Sequence, residues 1–167
     1  MRACLLAFAC VVALAGCGRN QDQQHTMTIN GNGGGTVTMS GNGQNMTIKS
    51  SDGNASLQFN ANGGQAPANL PSYASVYPGS KITTSMVGSD AHGNGGMMVE
   101  QTSASVADVI AFYKQKASAS GFAETMNMNV GTETMFSATS GDKKQTLSVV
   151  ATTQNGSTQA QITWGTK

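Results

Sequence analysis

Between residues 27 and 164 the chain is written almost entirely in period two. Short apolar–polar–apolar runs alternate with turn clusters rich in Gly and Asn, and one stretch of helical period interrupts them. Side chains on a strand alternate between two faces, so such a pattern commits the chain to short antiparallel strands joined by tight hairpins. In the first part the unit recurs about every ten residues, within the spacing typical of hairpin-linked strands: Met27-Thr28-Ile29, Val37-Thr38-Met39, Met46-Thr47-Ile48 and Leu57-Gln58-Phe59.

Residues 27–60 are therefore expected to form a short Gly/Asn-rich β-meander with one apolar face. Four such strands bury little, so the unit either packs on the domain that follows or serves as a flexible spacer. A calcium-binding repeat needs a carboxylate in each turn, and only Asp52 is present. A phosphate-cradling loop opens a helix, whereas residues 31–35 lead into another strand pattern. Residues 61–72, with Gly64, Pro67 and Pro71 and few apolar side chains, read as a linker.

Residues 73–167 carry the main domain. Pro78-Gly79 marks a turn, residues 81–87 and 97–102 read as strands, and the Gly-rich stretch 88–96 between them reads as a loop. A helix follows. Ser105 with Asp108 approximates a capping box, and Val106, Val109, Ile110, Tyr113 and Ala117 make one apolar stripe. Gly121 is placed as its left-handed cap, with Phe122 packing back on the last turn. Four strand patterns come next, at 124–129, 133–139, 145–152 and 158–164, divided by Gly131, Gly141-Asp142 and Asn155-Gly156. The expected fold class is α+β: a mainly antiparallel sheet with one covering helix, in the order β-β-α-β-β-β-β, preceded by the meander. The meander is a candidate to close the sheet's second face.

The N-terminus has a different grammar. Arg2 precedes an apolar run over residues 3–15, too short to span a bilayer, for which about 20 residues are needed. Leu14-Ala15-Gly16-Cys17 ends the run as a lipobox. Residues 1–16 are accordingly expected to be a lipoprotein signal peptide and 17–26 a lipidated tether. The segment resembles bacterial lipoproteins. That resemblance implies a diacylglycerol on Cys17, further acylation (palmitate or a similar chain) and, with Gly18 next, the outer membrane, facing the periplasm. Two or more acyl chains anchor stably, where one binds only marginally.

Processing changes the balance of charge and thiols. Cys4 and Cys10 leave with the signal and lipid blocks Cys17, so no disulfide forms in the mature chain. Nine Lys and Arg stand against eight Asp and Glu, and the loss of Arg2 evens them. A neutral, weakly charged chain is a poor partner for nucleic acid.

Tyr77-Pro78-Gly79, a strand ending at Thr102, the helix segment Val109-Ile110-Ala111-Phe112-Tyr113-Lys114 and Gly121-Phe122 together resemble a family of proteobacterial, sphingomonad-type envelope lipoproteins. The resemblance implies the α+β fold and an envelope location. It brings no activity and no site residues.

Little in the chain points to catalysis. His25 and His92 are the two histidines, and no H-E-x-x-H, G-x-S-x-G or C-x-x-C motif occurs. Ser140-Gly141-Asp142-Lys143 matches S-x-x-K but falls in an expected hairpin turn. Asp90 and His92 pair an acid with a histidine in one stretch, and Glu100 is the nearby carboxylate. Methionine is abundant, ten in all. Thioethers suit Cu(I), which makes His92, Met97 and Met98 weak metal candidates. Met126 and Met128, sharing one strand face, are expected to pack in the core. Trp164, in the final strand pattern, is expected in the core, as are Phe112, Tyr113 and Phe122; the alternative for it is an exposed edge and hence an interface.

The reading that follows is a lipid-anchored, non-enzymatic envelope protein. It has no cofactor beyond the lipid on Cys17, and its partner is an unidentified envelope protein or small ligand. The alternative is Met/His-based copper handling or an oxidant response.

Overall fold

The computed structural model describes residues 25–30, 36–42, 44–61, 63–67 and 69–166. The expected signal segment and lipobox, with Leu14, Ala15, Gly16 and Cys17, lie outside the described residues.

Ten strands and one helix make up the described chain. They are β1 (His25–Asn30), β2 (Thr36–Asn42), β3 (Asn45–Ser50), β4 (Ser56–Asn60), β5 (Lys81–Asp90), β6 (Gly93–Thr102), α1 (Val106–Ala119), β7 (Phe122–Val130), β8 (Glu133–Ser140), β9 (Gln145–Gln154) and β10 (Ser157–Thr166), with a 3-10 turn at Ser72–Ala74 before β5. All ten strands join one sheet in the order β1-β2-β3-β4-β5-β6-β10-β9-β8-β7, each neighbouring pair antiparallel. The α+β class with a mainly antiparallel sheet and a single helix is as expected.

The finer expectation differs. The N-terminal meander does not cover the sheet's second face. It extends the sheet sideways, with β4 pairing β5 so that Leu57 stands opposite Gly88 and Phe59 opposite Met86. Two free strand edges each carry unpaired backbone groups, and laddering them together satisfies both. The stretch 61–72 is tied back as well, since the Gly64 N–H donates to the Ile82 carbonyl (3.0 Å) beside a bulge in β5.

The expected loop at 88–96 is also strand. β5 runs to Asp90 and β6 begins at Gly93, leaving Ala91-His92 as the turn. Asp90 Oδ1 closes it by accepting the N–H groups of His92 (2.8 Å) and Gly93 (3.0 Å). Glycine lowers strand propensity, but β6 is a central strand paired on both sides, and that pairing prevails.

The helix forms as its sequence predicts. The Asp108 N–H donates to Ser105 Oγ (3.1 Å), and Ser105 Oγ donates to Asp108 Oδ2 (2.7 Å). Gly121, at φ +77, ends the helix, and its N–H reaches the Ser118 carbonyl. The stripe Val109, Ile110, Tyr113 and Ala117 is buried against the sheet. The helix packs on one face of the sheet over β7, β8 and β9, and against the 3-10 turn at Ser72–Ala74. That face supplies the core in register: Leu147 and Trp164 opposite Gly96, Val149 and Ile162 opposite Met98, Ala151 and Ala160 opposite Glu100.

Trp164 therefore lies in the core, as expected, and not at an edge. The C-terminal strand is inserted at the middle of the sheet, and the indole is only 5% exposed. It packs over Gly96, where a Cβ would fall 2.5 Å from the ring.

Candidate functional site

Two features of the fold gather polar or apolar groups in ways the sequence did not announce. The first is on the helix side. Glu100, in the middle of β6, has no exposed surface. Its carboxyl group accepts hydrogen bonds from the Tyr113 hydroxyl (2.8 Å), the Ser80 hydroxyl (2.8 Å) and the Tyr77 backbone N–H (3.1 Å). The turn over residues 77–80 is closed by the Ser80 N–H on the Tyr77 carbonyl (3.1 Å). Tyr77 also stacks edge-on to Phe112, which does the same to Tyr113. The Tyr-Pro-Gly turn and the Phe-Tyr pair of the helix are thus parts of one structure built around a buried acid. Burial, reinforced by the Glu100 carboxyl, raises the Tyr113 phenol well above its ordinary pKa. Closed from solvent, this cluster is structural.

The second feature is the opposite face, which no helix among the described residues covers. Alternation from the register puts Met39, Met46, Ile48, Leu57, Phe59, Met86, Met97, Val99, Met128 and Met135 on it. In two hairpins methionines stand directly opposite each other, Met86 with Met97 and Met128 with Met135. Met126 and Met128 do not pack in the core; they are 40% and 43% exposed. Shared parity was read correctly, but the single helix had only one face to cover. On this face the strands β2–β10 carry charge only at strand ends, at Lys81, Asp90 and Glu133.

Around β3–β6 and β10 the bare face is concave. A groove of about 820 Å³ opens there, walled by Val37, Ile48, Leu57, Met86 and Met97, with Asp90 and His92 at the β5–β6 turn. Its floor includes Gly88 and Gly95, register neighbours on β5 and β6. Those glycines made the sequence look like a loop. The signal that could have identified them was their position between strand-forming runs.

The sequence candidates separate in space. Met97 and Met98 are consecutive, so they point to opposite faces, and Met98 is sealed in the core. His92 sits at the hairpin tip beside Gly93, which lies four residues along β6 from Met97, or about 13 Å. His92, Met97 and Met98 therefore do not form one metal site. Among the described residues no three His, Cys, Asp or Glu side chains are grouped to hold a metal. Asp90 and His92 line the groove, whereas Glu100 lies across the sheet from it. Ser140 is a turn former: its hydroxyl donates to Asp142 Oδ1 (2.6 Å) and accepts the Gln145 N–H (2.9 Å). Ser50, Asp52 and Ala55 repeat that pattern between β3 and β4.

An antiparallel sheet with a helix packed on one face and an open apolar groove on the other is what fold and site define. Residues 82–161, from β5 into β10, match a family model described as START domain-like. The match covers just under half of the chain and leaves out β1–β4. No curated protein and no solved structure matches the chain.

Proposed function

We propose that this protein is a lipid-anchored, non-enzymatic component of the bacterial cell envelope, facing the periplasm from the outer membrane, and that its bare sheet face binds an apolar ligand. The groove carries this reading. It is concave, of a size that suits a small ligand, and built from side chains that would otherwise be left against water. The lipobox at Cys17 supplies the address, and the likeness of residues 82–161 to the START domain-like model agrees with a binding module. The resemblance to sphingomonad-type envelope lipoproteins points to the same compartment.

Two measurements test it on the full chain in the producing cell. Radiolabelled palmitate should enter the wild type and not Cys17→Ala; label absent from the wild type removes the anchor. A photoreactive hydrophobic probe without specific shape, such as a diazirine-bearing alkane, should mark peptides of β4, β5 and β6 facing the groove. Uniform labelling of the whole bare face would remove the binding site.

A further inference from the structure

We propose that the edge strand β7 is a self-association surface. Two copies of this chain pair their β7 strands antiparallel about a two-fold axis at Met128, joining their sheets edge to edge. The pairing is independent of the groove and of what it binds, because no residue of β7 lines it.

β7 is the last strand of the sheet, and among the described residues nothing pairs with its outer side. Every residue from Ala123 to Val130 is exposed. The large apolar side chains left exposed among the described residues are Val37, Met126, Met128 and Val130, and three of these four stand on this one strand. Free edges are commonly guarded by Lys, Pro or an inward-pointing charge. Residues 125–132 carry none of these. A bulge lies between Glu124 and Met126, so it bends only the start of the strand and leaves a neutral, regular run from Met126 to Val130.

That run is complementary to itself. Met126-Asn127-Met128-Asn129-Val130 alternates apolar residues with Asn, and it does so symmetrically about Met128. Antiparallel pairing about that residue sets Met128 opposite its own copy, Met126 opposite Val130 of the second copy, and Asn127 opposite Asn129 of the second copy. The apolar pairs fall on the helix-free face, where Met128 already stands opposite Met135, so the join carries that methionine row from one sheet into the other. The Asn pairs fall on the other face, where side-chain amides can donate and accept across the strands. Glu124 and Glu133 both lie outside the paired run, so no like charges oppose each other.

The backbone points the right way. Gly131-Thr132 is a two-residue turn, with Gly131 at φ +60, and it sets Val130 opposite Glu133. The closing pair of such a hairpin exchanges both of its backbone hydrogen bonds, so Val130 and Met128 direct their N–H and C=O groups to β8. Asn127 and Asn129 direct theirs outward, and these are the two residues that the two-fold axis sets opposite each other. The join therefore gives partners to the groups the edge leaves unpaired. A contact from β7 to β1 of another copy would be head-to-tail and would not close after two copies, whereas β7 on β7 does.

Residue 128, as its own partner, makes the test specific. In a non-hydrogen-bonded antiparallel pair the Cα atoms lie about 4.5 Å apart, a separation that a disulfide spans. Full-length Met128→Cys and Asn127→Cys are treated with diamide in lysates of the producing cell, and disulfide-linked peptides are identified by mass spectrometry. Met128→Cys should give a peptide linked to its own copy at least about ten-fold more abundantly than Asn127→Cys, whose site faces residue 129 instead. Met128→Lys, which sets two ammonium groups against each other on the axis, should convert detergent-purified full-length protein from dimer to monomer by light scattering, with the fluorescence of Trp164 unchanged as the mark of an intact fold. Equal linking at the two positions overturns the proposal. So does the absence of a linked peptide from Met128→Cys while its thiol still reacts with a maleimide, or a Met128→Lys protein that remains dimeric.

Discussion

The Tyr113 hydroxyl donates a 2.8 Å hydrogen bond to Glu100, and neither residue has any exposed surface. A buried acid without a cationic partner is tolerated only when its oxygens are fully occupied by donors. Three segments meet here: one donor comes from the helix, two from the turn at Tyr77–Ser80, and the acceptor from β6.

Removing one donor should thus be felt by the others. Tyr113→Phe is expected to cost about 1–3 kcal/mol and Ser80→Ala about 1 kcal/mol, because a buried acceptor loses a partner. The double variant should depart from the sum by at least about 0.5 kcal/mol, since both act on one carboxyl group. Urea unfolding of the four proteins measures the cycle, and strict additivity would argue against a shared cluster.

Alkaline pH should weaken the fold through the same phenol. Its folded pKa lies above the unfolded value of about 10. The stability it contributes is complete below pH 10 and declines as pH rises beyond, because only the unfolded chain releases the proton there. Tyr73, raised by burial, acts in the same direction. Midpoints of urea unfolding between pH 8 and pH 11 should fall in the wild type and fall less in Tyr113→Phe.

Glycine positions on the two faces should respond unequally. Gly96→Ala puts a Cβ 2.5 Å from the Trp164 ring and 2.6 Å from the Met86 carbonyl, and overpacking of that kind costs about 1–3 kcal/mol. Gly88→Ala meets no contact closer than 3.4 Å and should change stability by less than about 1 kcal/mol. Thermal melts compare them, and the emission of the sole tryptophan should shift only in the first.

Oxidation should follow the sheet's two faces. Dilute hydrogen peroxide converts an accessible thioether to its sulfoxide, releasing water. Met126 and Met128 should be modified well before Met98, which is fully buried. Peptide mass spectrometry along a peroxide time course gives the order, and early oxidation of Met98 would contradict its placement.

Local chemistry was legible in the sequence wherever it depended on neighbours along the chain. Ser105, Asp108 and Gly121 bound the helix as their residue types require, and the hairpin turns at Gly131, Asp142 and Asn155-Gly156 fall where the alternation breaks. The alternation also assigned parity, so that Met126 and Met128 share a face. The lipobox proposed at Cys17 would be a wholly local signal too, one that a peptidase reads from sequence rather than from a fold.

What the chain order could not decide is which strands lie side by side. That choice belongs to long-range pairing, where backbone groups are satisfied by whichever edge is free. It moved β10 to the interior of the sheet and buried Trp164 over Gly96. It also turned an apparent glycine loop into the floor of a groove and made the meander an extension of the sheet. One helix can cover only one face. The sequence by itself determined the methionine-bearing stripe, and only the tertiary structure left that stripe uncovered.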